Sequence, residues 1–226
     1  MPIVRRLPGW AIDWRVLRSM RYATGGHPGL PPGPGARGRH QPRRRLSPRG
    51  GRVGRRVLRV CRRPLAAKVL HDEGGPARMV VDLDAHQGNG TAAVFQDWPW
   101  ATILDLYERD NFPARKEPED YPLPVRSGLT GVEYLRIVQE ALPVALDAVR
   151  PDLLIYNAGS DPFTEDPLAG FRLTMSDLAE RDLIVVTMAR ERGIPVAMVL
   201  SGGYSAESWR IHTDGIEGVL TRYDRG

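Results

Sequence analysis

The stretch DLDAHQGNG sets Asp82, Asp84 and His86 at a spacing of two, and a further aspartate, Asp161, stands in NAGSDPFTEDPLAG. Two carboxylates and an imidazole on one side of an extended chain suit a divalent metal. If the strand before them persists, all three point the same way. Zinc accepts aspartate oxygen and histidine nitrogen, and a catalytic zinc keeps one position open for water. A third ligand has to come from elsewhere in the chain, and Asp161 is available. The competing reading makes these groups cap and turn residues, with His86 merely hydrogen-bonded. It loses weight because several apolar runs end in suitable polar groups: Asp105 and Tyr107 after ATILDL, Asn157 and Asp161 after PDLLIYN, and Ser201, Gly202, Gly203 and Tyr204 after IPVAMVL.

The elements that must position these residues follow from periodicity. LAAKVLHDEG reads as a short helix closed by Gly74, ARMVVDL as a buried strand and ATILDL as the next strand. TGVEYLRIVQEALPVALDAV reads as a helix opened by a capping box of Thr130 and Glu133. PDLLIYN is a strand, SDLAERDLIVVTMARERG a helix stopped by Gly193, IPVAMVLSGG a strand, and SAESWRIHTDGIEGVL the last helix. Apolar strands alternating with amphipathic helices predict an α/β fold, a parallel sheet covered by helices on both faces. In such sheets sites form beyond the carboxyl ends of the strands.

Composition narrows the class. With 226 residues, 42% hydrophobic and 26% charged, the chain can bury one substantial core. A single cysteine, Cys61, excludes an internal disulfide framework, and no apolar run reaches the length of a membrane span. A soluble cytoplasmic protein that does not engage a membrane is expected. The net charge of +5 is unevenly spread: twelve arginines lie between Arg37 and Arg63, and without them the balance falls to −7.

DLDAHQGNG, YNAGSDPFTEDPLAGF and LSGGY, in this order, resemble the zinc-dependent histone deacetylase family, most closely its class IV branch and bacterial relatives. The resemblance runs from about Leu65 to the C-terminus, with a weaker match at VLRSMRYATGG. It implies a three-layer arginase/deacetylase-like fold and hydrolysis of the amide of acetyl- or acyl-lysine, with acylated polyamines as a related substrate class. It also implies roles. Asp84, His86 and Asp161 would ligate Zn2+, and Asp82, with Asp105 and Leu106, would hold a structural K+. Tyr204 would hydrogen-bond the carbonyl as it becomes an oxyanion. Gly202 and Gly203 would allow close approach, and Phe112 and Leu168 would line the channel for the acyl-lysine chain.

One expected feature is missing. The family uses two adjacent histidines as the general-base pair, upstream of the first aspartate motif, and this sequence contains no His-His. His27 and His40 are isolated, and His71 and His212 fall in predicted helices. The arginine-rich QPRRRLSPRGGRVGRRVLRVCRRP occupies the place where the pair belongs. Read one nucleotide later, codons for QPRRRLSPR permit Asn-Leu-Gly-Gly-Gly-Tyr-His-His-Ala, which is the family's pattern. The chain is therefore expected to comprise a deacetylase remnant over 1–26, a frameshifted and disordered segment over 27–64, and the C-terminal part of the domain over 65–226, with the fold incomplete at its N-terminus. Activity would be impaired as written. The alternatives are an inactive fragment or pseudoenzyme, and a nucleic-acid-binding protein with Arg37 to Arg63 as a basic arm. The second is disfavoured because that segment has no aromatic residue to stack on bases.

Overall fold

The structure, a computed structural model, describes residues 62–72 and 78–223. The segment 1–26, the arginine-rich run up to residue 61, His27, His40 and Gly74 lie outside the described residues. Helix α1 spans Arg62–Asp72, so it starts three residues before Leu65. It is followed by β1 (Arg78–Asp82), α2 (Asn89–Phe95), β2 (Ala101–Glu108), β3 (Tyr121–Val125), α3 (Gly131–Val149), β4 (Leu153–Gly159), α4 (Met175–Glu191), β5 (Val196–Ser201) and α5 (Ser208–Tyr223).

Among the described residues the strands form one parallel sheet in the order β3-β2-β1-β4-β5. Alternation along the strands divides the core in two. Met79, Val81, Leu104, Leu106, Leu154 and Tyr156 face a large cluster completed by α3, α4 and α5. Val80, Ile103 and Ile155 face a smaller one with Ala67 of α1 and Phe95 of α2. Helices thus cover both faces, which is the three-layer α/β fold the alternation predicts.

The chain runs outward from β1 through β2 to β3, then returns to the other side of β1 as β4. The ends of β1 and β4 therefore flank the point where the winding reverses, and a crevice opens there in sheets of this kind. Asp82 is paired with Asn157 across those two ends.

Two elements carry no clear pattern in the sequence. Strand β3 is YPLPV, and its prolines cannot donate to a ladder, which confines them to an edge such as this one. Helix α2 opens on Gly88 without a side-chain cap. The capping box at Thr130 and Glu133 is formed as predicted, and α3 continues through Pro143 to Arg150, which closes it in the left-handed region at φ 47°. Helix α4 has its own capping box, Thr174 with Asp177.

Leu142 of α3 is fully buried in the larger cluster. Leu142→Ala is expected to cost about 2–5 kcal/mol, read as a lower urea midpoint with unchanged slope.

Candidate metal centre

Strand β1 stops at Asp82, so Asp84 and His86 do not continue an extended chain. Instead they stand in a bend whose intervening side chains, Leu83 and Ala85, drop into the core. The bend is pinned to the end of β4: the Leu83 amide donates to Asn157 O at 3.1 Å and the Ala85 amide to Asp161 Oδ1 at 2.8 Å. The Asp84 carboxylate also accepts the His86 amide at 2.9 Å.

This bend brings Asp84, His86 and Asp161 together, with one potential ligand atom from each lying within 4.8 Å of the others. His86 Nδ1 is 2.9 Å from Asp161 Oδ2 and 3.2 Å from Asp84 Oδ1. Asp161 is fully buried, whereas the side chains of Asp84 and His86 keep 15% and 18% of their surface, so the group opens on one side. Hydrogen bonds to Asp161 and then Asp84 push the His86 pKa up to about 10. Burial opposes ionisation of Asp84, but its bonds with His86 outweigh that and lower its pKa. A proton on His86 thus sits where a divalent cation would find two carboxylates and an imidazole nitrogen. The residues fit a metal, and so does the space beside them. A Cβ on Gly202 would lie 2.5 Å from Asp84 Oδ2, and Gly202 and Gly203 adopt φ of +61° and +94°. Only glycine meets both conditions without strain.

Tyr204 follows these glycines, its ring edge-on to His86 with centroids 6.4 Å apart. Partial burial, then the charges of Asp84, Asp161 and Asp166, raise its pKa, so the phenol keeps its proton at neutral pH. Its backbone N–H donates to Asp166 Oδ2 at 2.6 Å. Asp166, absent from the sequence reading, therefore ties the Tyr204 turn to the loop after β4.

Asp82 lies deeper. Its Oδ1 accepts from Asn157 Nδ2 and from the Asp84 amide. Asp105 Oδ2 accepts the Gly88 amide at 2.6 Å, while its buried Oδ1 has no partner among the described residues. A Cβ on Gly88 would lie 2.7 Å from Asp82 Oδ2 and 3.2 Å from Asp105 Oδ2, so the two carboxylates flank one narrow space. Burial pushes Asp105 well above the usual carboxylate range, and the charges of Asp82 and Glu119 add to this. Among the described residues both buried oxygens of Glu119 likewise lack a hydrogen-bond partner, and its carboxyl lies against that of Asp105. This concentration of acid fits a monovalent cation. Leu106 sends its side chain into the core, which leaves its carbonyl as the group it could offer.

The two expected channel residues are exposed, Phe112 at 67% and Leu168 at 50%. Asn111 joins their loops by donating to Leu168 O at 2.8 Å and to Glu108 Oε2 at 2.7 Å. Glu108 also receives the Ser127 hydroxyl and the Gly170 amide. It is a second organising acid that periodicity could not flag, because it lies two residues beyond the predicted strand ATILDL. His71 stacks on Trp100 at 3.9 Å, and burial lowers the pKa of His212 in α5. Neither belongs to the metal group.

A family model described as "Histone deacetylase domain" matches residues 63–216. Histone deacetylase 2 of Arabidopsis thaliana is 41% identical over 144 residues, covering 62% of this chain and 37% of that protein. A probable deacetylase of Archaeoglobus fulgidus is 27% identical over 175 residues, covering 71% and 48%. Acetylpolyamine amidohydrolase 2 of Pseudomonas aeruginosa is 26% identical over 174 residues, covering 69% and 48%. The chain thus spans half or less of the length of these relatives. The crystal structure of the HDA15 HD domain superposes with a TM-score of 0.61 at 23% identity, over 71% of this chain and 49% of that one, and supports the fold.

Burial works against the charge on Glu108, but bonds from Ser127, Gly170 and Asn111 prevail and hold its pKa below the ordinary 4.5. Its contribution to stability is therefore present above that value and lost as the pH falls through the depressed one. Glu108→Gln should cost about 1–3 kcal/mol at pH 7. In urea titrations the gap to the parent should shrink as the pH drops below 4.5.

Proposed function

The chain belongs to the histone deacetylase family, and from that premise we propose that it is a zinc-dependent amidohydrolase acting on acyl-lysine or an acylated polyamine, of the class IV kind. The observation that carries this reading is the convergence of Asp84, His86 and Asp161 beside Tyr204. These three residues would hold the zinc. Bound there, zinc would supply Lewis acidity to the scissile carbonyl and bring the pKa of water towards ~7. The Tyr204 phenol, kept protonated, donates to the oxygen of that carbonyl as negative charge develops. Gly202 and Gly203 let the amide approach the metal group. Phe112 and Leu168, exposed apolar side chains on loops that Asn111 joins, would line an apolar mouth for the methylene stem. Between Asp82 and Asp105, with the Leu106 carbonyl, K+ would offset the acid behind the zinc. The acetylpolyamine amidohydrolase among the relatives supports the polyamine as one of the two substrate classes.

Proton transfer is the weak half of this site. The sequence holds no adjacent histidines, and loss of a general base commonly costs roughly 100 to 10,000-fold. Slow turnover of a fluorogenic acyl-lysine substrate is expected from the chain as it stands. Replacing residues 41–49 by the one-nucleotide-shifted reading, which contains His-His, should raise kcat by about that factor. A chelator should abolish the gain. Equal rates from the two chains would overturn the assignment of the base to that segment.

In the restored chain, Tyr204→Phe should lower kcat about 100 to 1,000-fold. Zinc affinity should be unchanged, since the phenol is not a ligand. Steady-state kinetics with a parallel zinc titration checks both halves.

A further inference from the structure

Arg181 of α4 is fully buried, and no step of the proposed chemistry uses it. Its Nε and Nη2 donate to Asp182 Oδ1 at 3.0 and 2.8 Å, and the Tyr156 hydroxyl donates to the same oxygen. That pair neutralises the charge but leaves Nη1 free to bond elsewhere. Nη1 donates to Gly159 O at 2.6 Å and to Leu83 O at 3.3 Å. The Tyr134 hydroxyl also donates to Leu83 O, at 3.2 Å.

The two carbonyls are not arbitrary. Leu83 stands between Asp82 and Asp84, and Gly159 stands two residues before Asp161. One guanidinium nitrogen therefore bridges the two backbone turns that carry the metal group. The turns are already so close that a Cβ on Gly159 would lie 2.7 Å from Asp84 Cα. A role in filling space alone would be met by an apolar side chain, often without loss of stability. An apolar side chain could not reach both carbonyls with a donor.

We infer that Arg181, assisted by Tyr134, is a positioning residue that sets the separation of Asp84 and Asp161 and thereby the affinity of the site for its metal. This rests on the metal reading given under the proposed function. Groups bonded behind metal ligands change metal affinity by roughly 10–100-fold when they are removed. Arg181→Lys keeps the charge and loses the fork. Tyr134→Phe removes one donor to Leu83 O and leaves the charge untouched.

The test uses the full chain. Zinc affinity is measured by competition with a chromogenic chelator, site geometry by the visible absorption of the Co2+-loaded protein, and folding by metal-free melting curves. Arg181→Lys is expected to weaken zinc about 10–100-fold and to shift the Co2+ bands, with Tyr134→Phe moving both in the same direction by less. A purely structural role would lower the metal-free melting temperature while leaving affinity and spectrum as in the parent. A folded Arg181→Lys with the parent's affinity and spectrum overturns the inference. If that variant does not fold, a folded Tyr134→Phe with parental values overturns it instead. A parent chain that takes up no zinc overturns the metal reading and this inference with it, and is distinguished by the parent titration alone.

Discussion

The close approach of two backbone turns governs the site. The bend after β1 and the turn after β4 share the Leu83–Asn157 and Ala85–Asp161 hydrogen bonds and touch where Gly159 faces Asp84. Both turns leave adjacent parallel strands at the point where the winding of the sheet reverses. Parallel order makes the strand ends point the same way, and reversal leaves no crossover helix between them. Two short aspartate-bearing turns can then meet with one histidine.

That arrangement concentrates negative charge where water cannot screen it. Asp82, Asp105 and Asp161 are fully buried, and Asp84 keeps 15% of its side-chain surface. Among the described residues the fully buried Arg181 lies behind them, but its charge is matched to Asp182. Burying a carboxylate without a partner costs several kcal/mol, so such groups gain protons or cations. The raised pKa values of His86 and Asp105 are two expressions of the same demand, one answered by a proton on an imidazole and the other by a proton on a carboxyl. Cations at the two places would answer both.

Much of this was legible in the sequence, and the exceptions share a cause. The parallel sheet and the helices on both faces followed from apolar alternation, spacing grouped Asp82, Asp84 and His86 with Asp161 as a candidate, and the resemblance to the family's motifs singled out Asp84, His86 and Asp161. Asp82, Asp84 and His86 would share one side only if the strand continued. It stops at Asp82, and a bend delivers Asp84 and His86 while Asp82 stays behind. Strand β3 was invisible because its alternate residues are prolines, and edge strands tolerate what central ones do not. Glu108, Asp166 and Arg181 escaped notice because each is one charged residue among many. Their importance lies in contacts between elements 19 to 98 residues apart, as in Ser127–Glu108 and Arg181–Leu83. No local pattern carries such information.

On the proposed hydrolase reading, the two requirements of amide hydrolysis are separated along this chain. Holding a metal and stabilising negative charge would depend on residues 82–204, where the supporting hydrogen bonds are internally consistent. On the proposed reading, moving the proton would fall to a histidine pair assigned to residues 41–49, where arginines stand. Arginine cannot serve as a base near neutral pH, because its guanidinium keeps its proton. Nor can His71 or His212 substitute, since one is stacked on Trp100 and the other sits in α5, outside the metal group. A chain with the first requirement and without the second would bind metal and ligand well and turn over slowly. Affinity and rate then report on different segments of the same polypeptide, and a measurement of one cannot stand in for the other.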